Sequence, residues 1–381
     1  MPNPFKYGGV VGKDAFCDRK QELADLGRAI ENGERLFLYS ERRMGKTSLI
    51  RLVLSRLPKK RFLAAYVDLW PTDGVESFAA ATAKAVTETV ATSADKMLQA
   101  AKRFFGSLSP AITADSSGNP RMTFEVTRRR TLGPALEEVL AAPERIAQRR
   151  RCRAVVVFDE FQRILEYEND LAERTIRSVI QNQQGVAYIF LGSRKHLIQK
   201  MFLDQARPLY RSGAHYPLET IETKHWIPFI RRRFLKSDKV ISNELIRSVC
   251  QLTGGHPFYT QHLCHVLWEL CESNAEVASE TLTRAINVLL DRESYAYTAL
   301  WESFGLNQRR FLSGLAAAPA GVQAFGADFI QRNRLRSPSA VQRVVKSLLE
   351  RDIIDRDNSS FVISDRFFRL WIQQLTEEII R

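Results

Sequence analysis

Two stretches of the sequence carry side chains with the types and spacing that phosphate chemistry requires. The first is Gly45-Lys46-Thr47-Ser48, which follows the apolar run Leu36–Tyr39 and begins an amphipathic pattern. This order predicts a buried strand, a loop and a helix N-terminus, whose unpaired backbone N–H groups attract an anion. Lys46 would then reach the outer phosphates of a nucleotide, and the Thr47 hydroxyl would bind Mg²⁺.

The loop before Lys46 departs at one position from the usual phosphate-binding pattern, G-x-x-x-x-G-K-[ST]. Ser40 stands where that pattern has its first glycine. Serine can form this turn only without a strongly positive φ, so we expect a slightly different entry to the loop. The residues predicted to surround the nucleotide phosphates are Ser40, Glu41, Arg42, Arg43, Met44, Gly45, Lys46, Thr47 and Ser48.

The second stretch is Ala154–Phe158 followed by Asp159-Glu160. Its consecutive β-branched and aromatic residues predict a strand buried on both faces. The two acids follow at its C-terminal end, where open α/β sheets bind their ligands. Asp159 would hold Mg²⁺ through water, and Glu160 would polarise the attacking water. An apolar run followed by two acids is common, but together with Lys46-Thr47 it predicts nucleotide binding.

Two further polar positions follow predicted elements. Ser193 comes directly after the strand-like run Val186–Leu191 and would orient the water or sense the γ-phosphate, a role compatible with capping the next helix. Arg211 lies in a turn and would reach the nucleotide of a neighbouring subunit, which requires an oligomer. The alternative for Arg211 is an ordinary surface arginine.

The periodicity divides the chain into three predicted domains. Residues 1–222 would form an α/β nucleotide-binding domain, in which helices cover both faces of a parallel sheet. Its segment at about 109–126 would be a hairpin-like insertion, or a loop that becomes ordered only with a partner. Residues 223–298 would form a small helical lid, and 299–381 a winged helix-turn-helix. The last domain would expose Gln342, Arg343 and Lys346 on a recognition helix for duplex DNA. Winged helices also bind proteins, so both partners stay open.

The composition favours a polyanionic partner and a reducing compartment. The net charge is +13, although an arginine-rich solvated surface would explain much of it. Five scattered cysteines without C-x-x-C spacing predict free thiols and a cytoplasmic location. No apolar run has the length of a membrane span, and the histidines and cysteines of 256–271 fit a helical core better than a metal site.

Six features together resemble the archaeal-type ATPases, an AAA+/STAND-like P-loop group related to origin-recognition ATPases. They are YSERRMGKTSL, VVVFDEFQ, LGSR, PLYR, TGGHPFY and the C-terminal winged helix.

The resemblance implies ATP and Mg²⁺ as cofactors, with the roles given above for Lys46, Thr47, Asp159 and Glu160. It also implies a sensor role for Ser193, a finger-like role for Arg211 and a lid position for Gly255 and Pro257. The opening FCDRKQEL resembles the family's N-terminal arginine-bearing helix, which places Arg19 near the adenine; a packing role is the alternative. The turn reads LYRS where the family has LYGR.

The predicted function is a slow ATPase that acts as a nucleotide-driven switch. Its nucleotide state would position the winged helix for DNA or protein binding, and ATP would promote an oligomer. One alternative is a DNA-binding protein with a structural nucleotide. The other is a signalling scaffold that binds a protein partner.

Overall fold

The structure is a computed structural model that describes residues 2–12, 16–91, 94–114, 120–126, 132–272, 274–319, 321–357 and 360–380. Parts of two predicted turns, at 115–119 and 358–359, lie outside these ranges. Within the ranges, no helix combines the length and apolar composition needed to cross a bilayer.

The chain forms two compact units. The sheet unit consists of Arg19–Arg42 and Lys46–Leu218. The helical unit consists of Met1–Asp18, Arg43–Gly45 and Glu219–Arg381. The three-domain division remains a prediction.

The elements up to Leu218 are α1 Lys20–Asn32, β1 Arg35–Tyr39, α2 Lys46–Arg56, β2 Phe62–Asp68, α3 Val75–Val90, α4 Ala94–Phe104, β3 Leu108–Ala114, β4 Pro120–Val126, α5 Leu132–Arg150, β5 Arg153–Asp159, a 3₁₀ helix Phe161–Glu166, α6 Leu171–Ile180, β6 Val186–Gly192, α7 Lys195–Leu203 and β7 Ala214–Pro217. The later elements are α8 Thr223–Leu235, α9 Asn243–Thr253, α10 Pro257–Leu270, α11 Ser279–Glu302, α12 Leu306–Ala317, α13 Ala327–Arg332, α14 Pro338–Glu350, β8 Ile354–Asp357, β9 Ser360–Ile363 and α15 Arg366–Ile380.

The sheet unit is built on five parallel strands in the order β2-β5-β6-β1-β7. The central strands β5 and β6 are buried almost throughout, which explains their continuous runs of Val, Ile and Phe. Phe158 and Phe190 stack with ring centroids 5.8 Å apart on these neighbouring strands. The α/β fold class predicted from the two apolar strands is confirmed.

The strand register brings the predicted polar residues to one edge of the sheet. Tyr39 at the end of β1 lies opposite Gly192 at the end of β6, so Ser40 and Ser193 follow at the same level. On the other side of β6, Asp159 ends β5 opposite Asp68 of β2. Parallel strands thus collect residues that are more than a hundred positions apart in the chain.

The predicted insertion forms an antiparallel pair, in which Leu108 of β3 lies opposite Val126 of β4. Phe105 and Phe124 pack edge to face beneath it, with ring centroids 5.8 Å apart. The pair therefore contributes to the core of the sheet unit.

A single hydrophobic core runs through the helical unit. It includes Trp226 and Phe234 of α8, Leu263 of α10, and Phe311 and Leu348 of the C-terminal elements. The predicted boundary at 298/299 falls inside α11.

The C-terminal elements have the predicted winged-helix composition of three helices followed by the β8–β9 hairpin. Ser337 caps α14, because its Oγ accepts a hydrogen bond from Ala340 N at 3.3 Å, and Pro338 occupies the first turn. On α15, Phe367, Phe368 and Ile372 are buried, so the aromatic tail helix packs on the same core.

Gly255 provides a test of the packing between α8 and α10. Its φ is +65°, and a Cβ here would lie 2.3 Å from the backbone oxygen of Ile221. Gly254 has a similar φ of +63°, but its nearest neighbour would be 3.9 Å away. Both positions therefore require the left-handed backbone, and only Gly255 also lacks room for a side chain.

We expect Gly255→Ala to lower the free energy of unfolding by about 3 kcal/mol, since overpacking adds to the left-handed cost. The matched control Gly254→Ala should lose roughly 1 kcal/mol. Urea unfolding followed by circular dichroism measures both values. Equal losses in the two variants would show that the approach to Ile221 does not limit this position.

Candidate functional site

The loop between β1 and α2 has the conformation that its sequence predicted. Positive φ values occur at Arg43 (60°) and Gly45 (87°), but not at Ser40. Ser40 instead continues the strand direction, and its N–H donates to Gly192 O at 3.3 Å. A serine is therefore compatible with the first position of this loop.

Lys46 is the first residue of α2 and is only 6% exposed. Its Nζ donates to Ser40 Oγ at 2.9 Å, to Glu41 O at 2.8 Å and to Ser40 O at 3.3 Å. The loop thus saturates the three donors of the ammonium group. Burial lowers the pKa of Lys46 to about 8, against the opposing effect of the Glu160, Asp159 and Glu41 carboxylates.

Asp159 is held by three donors and is 6% exposed. Its Oδ2 accepts hydrogen bonds from Thr47 Oγ1 at 2.8 Å and from the Tyr66 hydroxyl, while its Oδ1 accepts from Glu160 N at 2.9 Å. The structure therefore joins the predicted metal ligands Thr47 and Asp159 directly. Sequence reasoning missed Tyr66. The available signal was its position two residues before Asp68 on a strand, which places both side chains on the same face of the sheet.

Glu160 leaves the strand in a left-handed conformation with φ 54°, which is uncommon for a residue with a long side chain. Its Oε2 accepts hydrogen bonds from Ser193 Oγ at 2.7 Å and from Gln162 Nε2. Gln162 is 2% exposed and also donates to Ser193 Oγ at 3.2 Å. Gln162 is a second residue that the sequence analysis missed, and its place in the DEFQ run was the available signal.

Thr47 and Asp159 present two oxygen groups, whose Oγ1 and Oδ2 atoms lie 2.8 Å apart. Among the described residues, no group of three His, Cys, Asp or Glu side chains could hold a metal by itself. Mg²⁺ requires no such cage, because one or two protein oxygens, water and substrate phosphates complete its coordination. The Thr47 hydroxyl and the Asp159 carboxylate fit that requirement.

Arg211 and Arg207 occupy the same turn but differ in environment. Arg211 is exposed, has a φ of 48° and lies over the ring of its neighbour Tyr210, with 5.2 Å between the guanidinium carbon and the ring centroid. Arg207 instead forms an ion pair with Glu173, whose side chain is almost fully buried. Arg207 therefore anchors the turn, and Arg211 extends into solvent.

Arg19 is buried at the start of α1, with a φ of 67°, and its Nη1 donates to Glu22 Oε1 at 2.5 Å. Its guanidinium group is thus held within the sheet unit. The structure gives no contact by which to judge the predicted adenine role, which stays a prediction.

The remaining predicted residues lie in the helical unit. Pro257 begins α10 and is half-buried, two residues after the buried Gly255. Three exposed side chains share one face of α14: Gln342, Arg343 and Lys346. Lys346 Nζ lies 3.9 Å from Glu350 Oε1, a solvent-exposed pair that leaves the lysine accessible.

Comparison with solved structures shows the fold. The Walker-type ATPase PABY2304 of Pyrococcus abyssi is 16% identical, over 95% of this chain and 97% of that chain, with a TM-score of 0.61. The ORC2 protein of Aeropyrum pernix in its ADPNP-ADP complexes is 12% identical, over 96% of both chains, with a TM-score of 0.48. The ORC1 protein of Aeropyrum pernix in complex with DNA is 13% identical, over 98% of this chain and 95% of that chain, with a TM-score of 0.45.

Two family models match the chain, one in its N-terminal two thirds and one near its C-terminus. The model described as "Probable winged helix domain" matches residues 295–374. No curated protein sequence matches the chain significantly. The model described as "ATPase domain predominantly from Archaea" matches residues 16–263, which is well over half of the chain and contains Lys46, Thr47, Asp159 and Glu160. The chain therefore belongs to this family of predominantly archaeal ATPase domains.

Proposed function

We propose that the protein binds ATP with Mg²⁺ and hydrolyses it slowly, and that the bound nucleotide controls a C-terminal winged helix. The observation that carries this proposal is the grouping of a buried ammonium, a hydroxyl and two carboxylates at one sheet edge. Lys46, Thr47, Asp159 and Glu160 reach this edge from α2 and β5. Family membership supports the same activity.

Nucleotide binding would replace the present partners of Lys46. The three acceptors that now surround Nζ are two backbone carbonyls and one hydroxyl, all uncharged. Phosphate oxygens carry negative charge and form stronger hydrogen bonds with an ammonium group. The backbone N–H groups of the loop and of the first turn of α2 would complete the phosphate cradle.

Glu160 would act as the group that polarises the attacking water. Ser193 and Gln162 both donate to Oε2, so they fix the direction of the carboxylate while Oε1 remains for the water. Ser193 would in addition respond to the γ-phosphate. Bound Mg²⁺ would supply positive charge for the phosphates, held by Thr47 and, through water, by Asp159.

The proposed switch has two kinds of partner. Duplex DNA is favoured by the exposed Gln342, Arg343 and Lys346 on α14 and by the net charge of +13. A protein partner is the second candidate, because the same helix also offers uncharged surface. ATP-dependent assembly would give the exposed Arg211 a role at a neighbouring subunit's nucleotide.

The first prediction of the proposed function concerns Glu160. We expect Glu160→Gln to lower ATP turnover by about 10²-fold or more, because the amide cannot act as a base. Its affinity for Mg²⁺ and a non-hydrolysable ATP analogue should change by less than about threefold, because Lys46 and Thr47 are intact. Phosphate release and fluorescence titration measure the two quantities. Equal and appreciable turnover in wild type and variant would remove Glu160 from the chemistry.

The second prediction concerns the protonation of Lys46. Nucleotide phosphates would raise its pKa above the value of about 8 in the free protein. ATP affinity should therefore be constant below pH 8 and fall by up to about tenfold per pH unit above it, because only the ammonium form binds strongly. Calorimetry between pH 7.5 and 9.5 measures this slope, since the phosphates are already ionised there.

Lys46→Arg is the matched control for this slope, because its guanidinium group keeps its charge over the whole range. Its affinity should be lower than that of wild type but independent of pH. A flat wild-type profile would contradict phosphate binding by the Lys46 ammonium group.

The third prediction concerns DNA. Arg343→Glu with Lys346→Glu should weaken duplex binding and reduce the slope of log affinity against log salt by about 2, one for each lost phosphate contact. Arg231→Glu with Arg232→Glu makes the same change in net charge on exposed positions of α8. Fluorescence anisotropy at several salt concentrations compares the pairs. Equal weakening by both pairs would mean that α14 is not the DNA surface.

A further inference from the structure

Tyr66 contributes a hydrogen bond to the carboxylate that is predicted to hold Mg²⁺, although it belongs to neither sequence motif. Its hydroxyl donates to Asp159 Oδ2, the same oxygen that accepts from Thr47 Oγ1 at 2.8 Å. The backbone N–H of Glu160 donates to the other carboxylate oxygen, Asp159 Oδ1, at 2.9 Å. The carboxylate can therefore rotate only if at least one of these three bonds breaks.

The ring of Tyr66 is aligned by the phosphate-loop helix. In the parallel register, Tyr66 lies opposite Val157, two positions before Asp159. The guanidinium carbon of Arg51 lies 4.8 Å from the centre of the ring. Because Thr47 and Arg51 are four residues apart, they share a face of α2. One helix face thus contacts the carboxylate through Thr47 and the tyrosine ring through Arg51.

Tyr66 is only partly enclosed by its neighbours. Tyr66 is half-buried and lines a cavity of about 400 Å³ together with Asp68, Lys84 and Phe124. A phenol is protonated at neutral pH, so the Tyr66 hydroxyl is the donor in its hydrogen bond with the Asp159 carboxylate.

We propose that Tyr66 is a positioning residue that orients Asp159 toward Mg²⁺ in the nucleotide-bound protein. This inference rests on the proposed ATP and Mg²⁺ binding. The Tyr66 hydroxyl and Thr47 Oγ1 occupy both acceptor positions of Oδ2, and Glu160 N occupies one of Oδ1, so the second lone pair of Oδ1 is left for the metal-bound water. Groups that orient a metal-binding carboxylate in this way commonly change metal affinity by about 10–100-fold when they are removed.

The test is the Mg²⁺ concentration that gives half-maximal ATP turnover. Tyr66→Phe keeps the ring beneath Arg51 and removes only the donor. We expect the half-saturating Mg²⁺ concentration to rise about tenfold or more, with turnover restored at saturating Mg²⁺. Nucleotide affinity measured in EDTA should not change, because Lys46 and the loop backbone are intact.

Tyr167→Phe is the matched control. It also removes a phenol hydroxyl from the sheet unit, in this case one bonded to Thr72 Oγ1 at 2.6 Å, and it touches none of the proposed ligands. Thermal melting of both variants separates a loss of stability from a loss of metal affinity. A purely structural role would lower the melting temperature and leave the half-saturating Mg²⁺ concentration unchanged.

The outcomes separate this inference from the proposed function. An unchanged Mg²⁺ requirement in Tyr66→Phe, or turnover that stays low at saturating Mg²⁺, would overturn the positioning role. A wild-type protein that binds no ATP, or whose turnover needs no divalent metal, would instead overturn the proposed function. A raised Mg²⁺ requirement confined to Tyr66→Phe supports both.

Discussion

A buried ammonium group must find acceptors and opposite charge, because removal from water is costly for a charged side chain. Lys46 meets this need with two loop carbonyls, one hydroxyl and the nearby carboxylates of Asp159 and Glu160. Burial lowers its pKa to about 8 in spite of these carboxylates, so the cost of desolvation is only partly offset. The uncompensated part is what favours a phosphate, which brings negative charge to a site already shaped for it.

The parallel sheet determines where that charge meets its partners. The ends of β1, β5 and β6 lie at one edge, so Lys46, Asp159 and Ser193 come together although helices α2 to α6 and the β3–β4 pair lie between them in the chain. The carboxylates of Asp159 and Glu160 differ in the groups that donate hydrogen bonds to them. Asp159 is tied to the loop helix through Thr47, and Glu160 is tied to the end of β6 through Ser193. In the proposed mechanism, Asp159 would hold the metal through water and Glu160 would polarise the attacking water.

Sequence patterns predicted the strands, the loop and the winged helix because each has a local signal, such as a buried apolar run or the Ser337-Pro338 start of α14. They did not predict Tyr66 or Gln162. The position of Tyr66 two residues before Asp68 and that of Gln162 in the DEFQ run are weak local signals that name no partner. Their contacts with Asp159 and Glu160 arise from strand register and from the left-handed turn at Glu160. The roles of Arg19 and Arg211 depend on a bound nucleotide or a second subunit, so they remain predictions.

The claim that the Lys46 ammonium group anchors the phosphates is tested most directly by measuring the affinity for a non-hydrolysable ATP analogue at pH 7.5 with Mg²⁺. Calorimetry of the wild-type protein and of Lys46→Met compares two side chains of similar length, one of them without charge. If the ammonium group is the phosphate anchor, wild type should bind the analogue and Lys46→Met should bind it at least about 10²-fold more weakly, a difference near 3 kcal/mol. Equal affinities in the two proteins, or no binding by wild type, would contradict a phosphate site organised around Lys46.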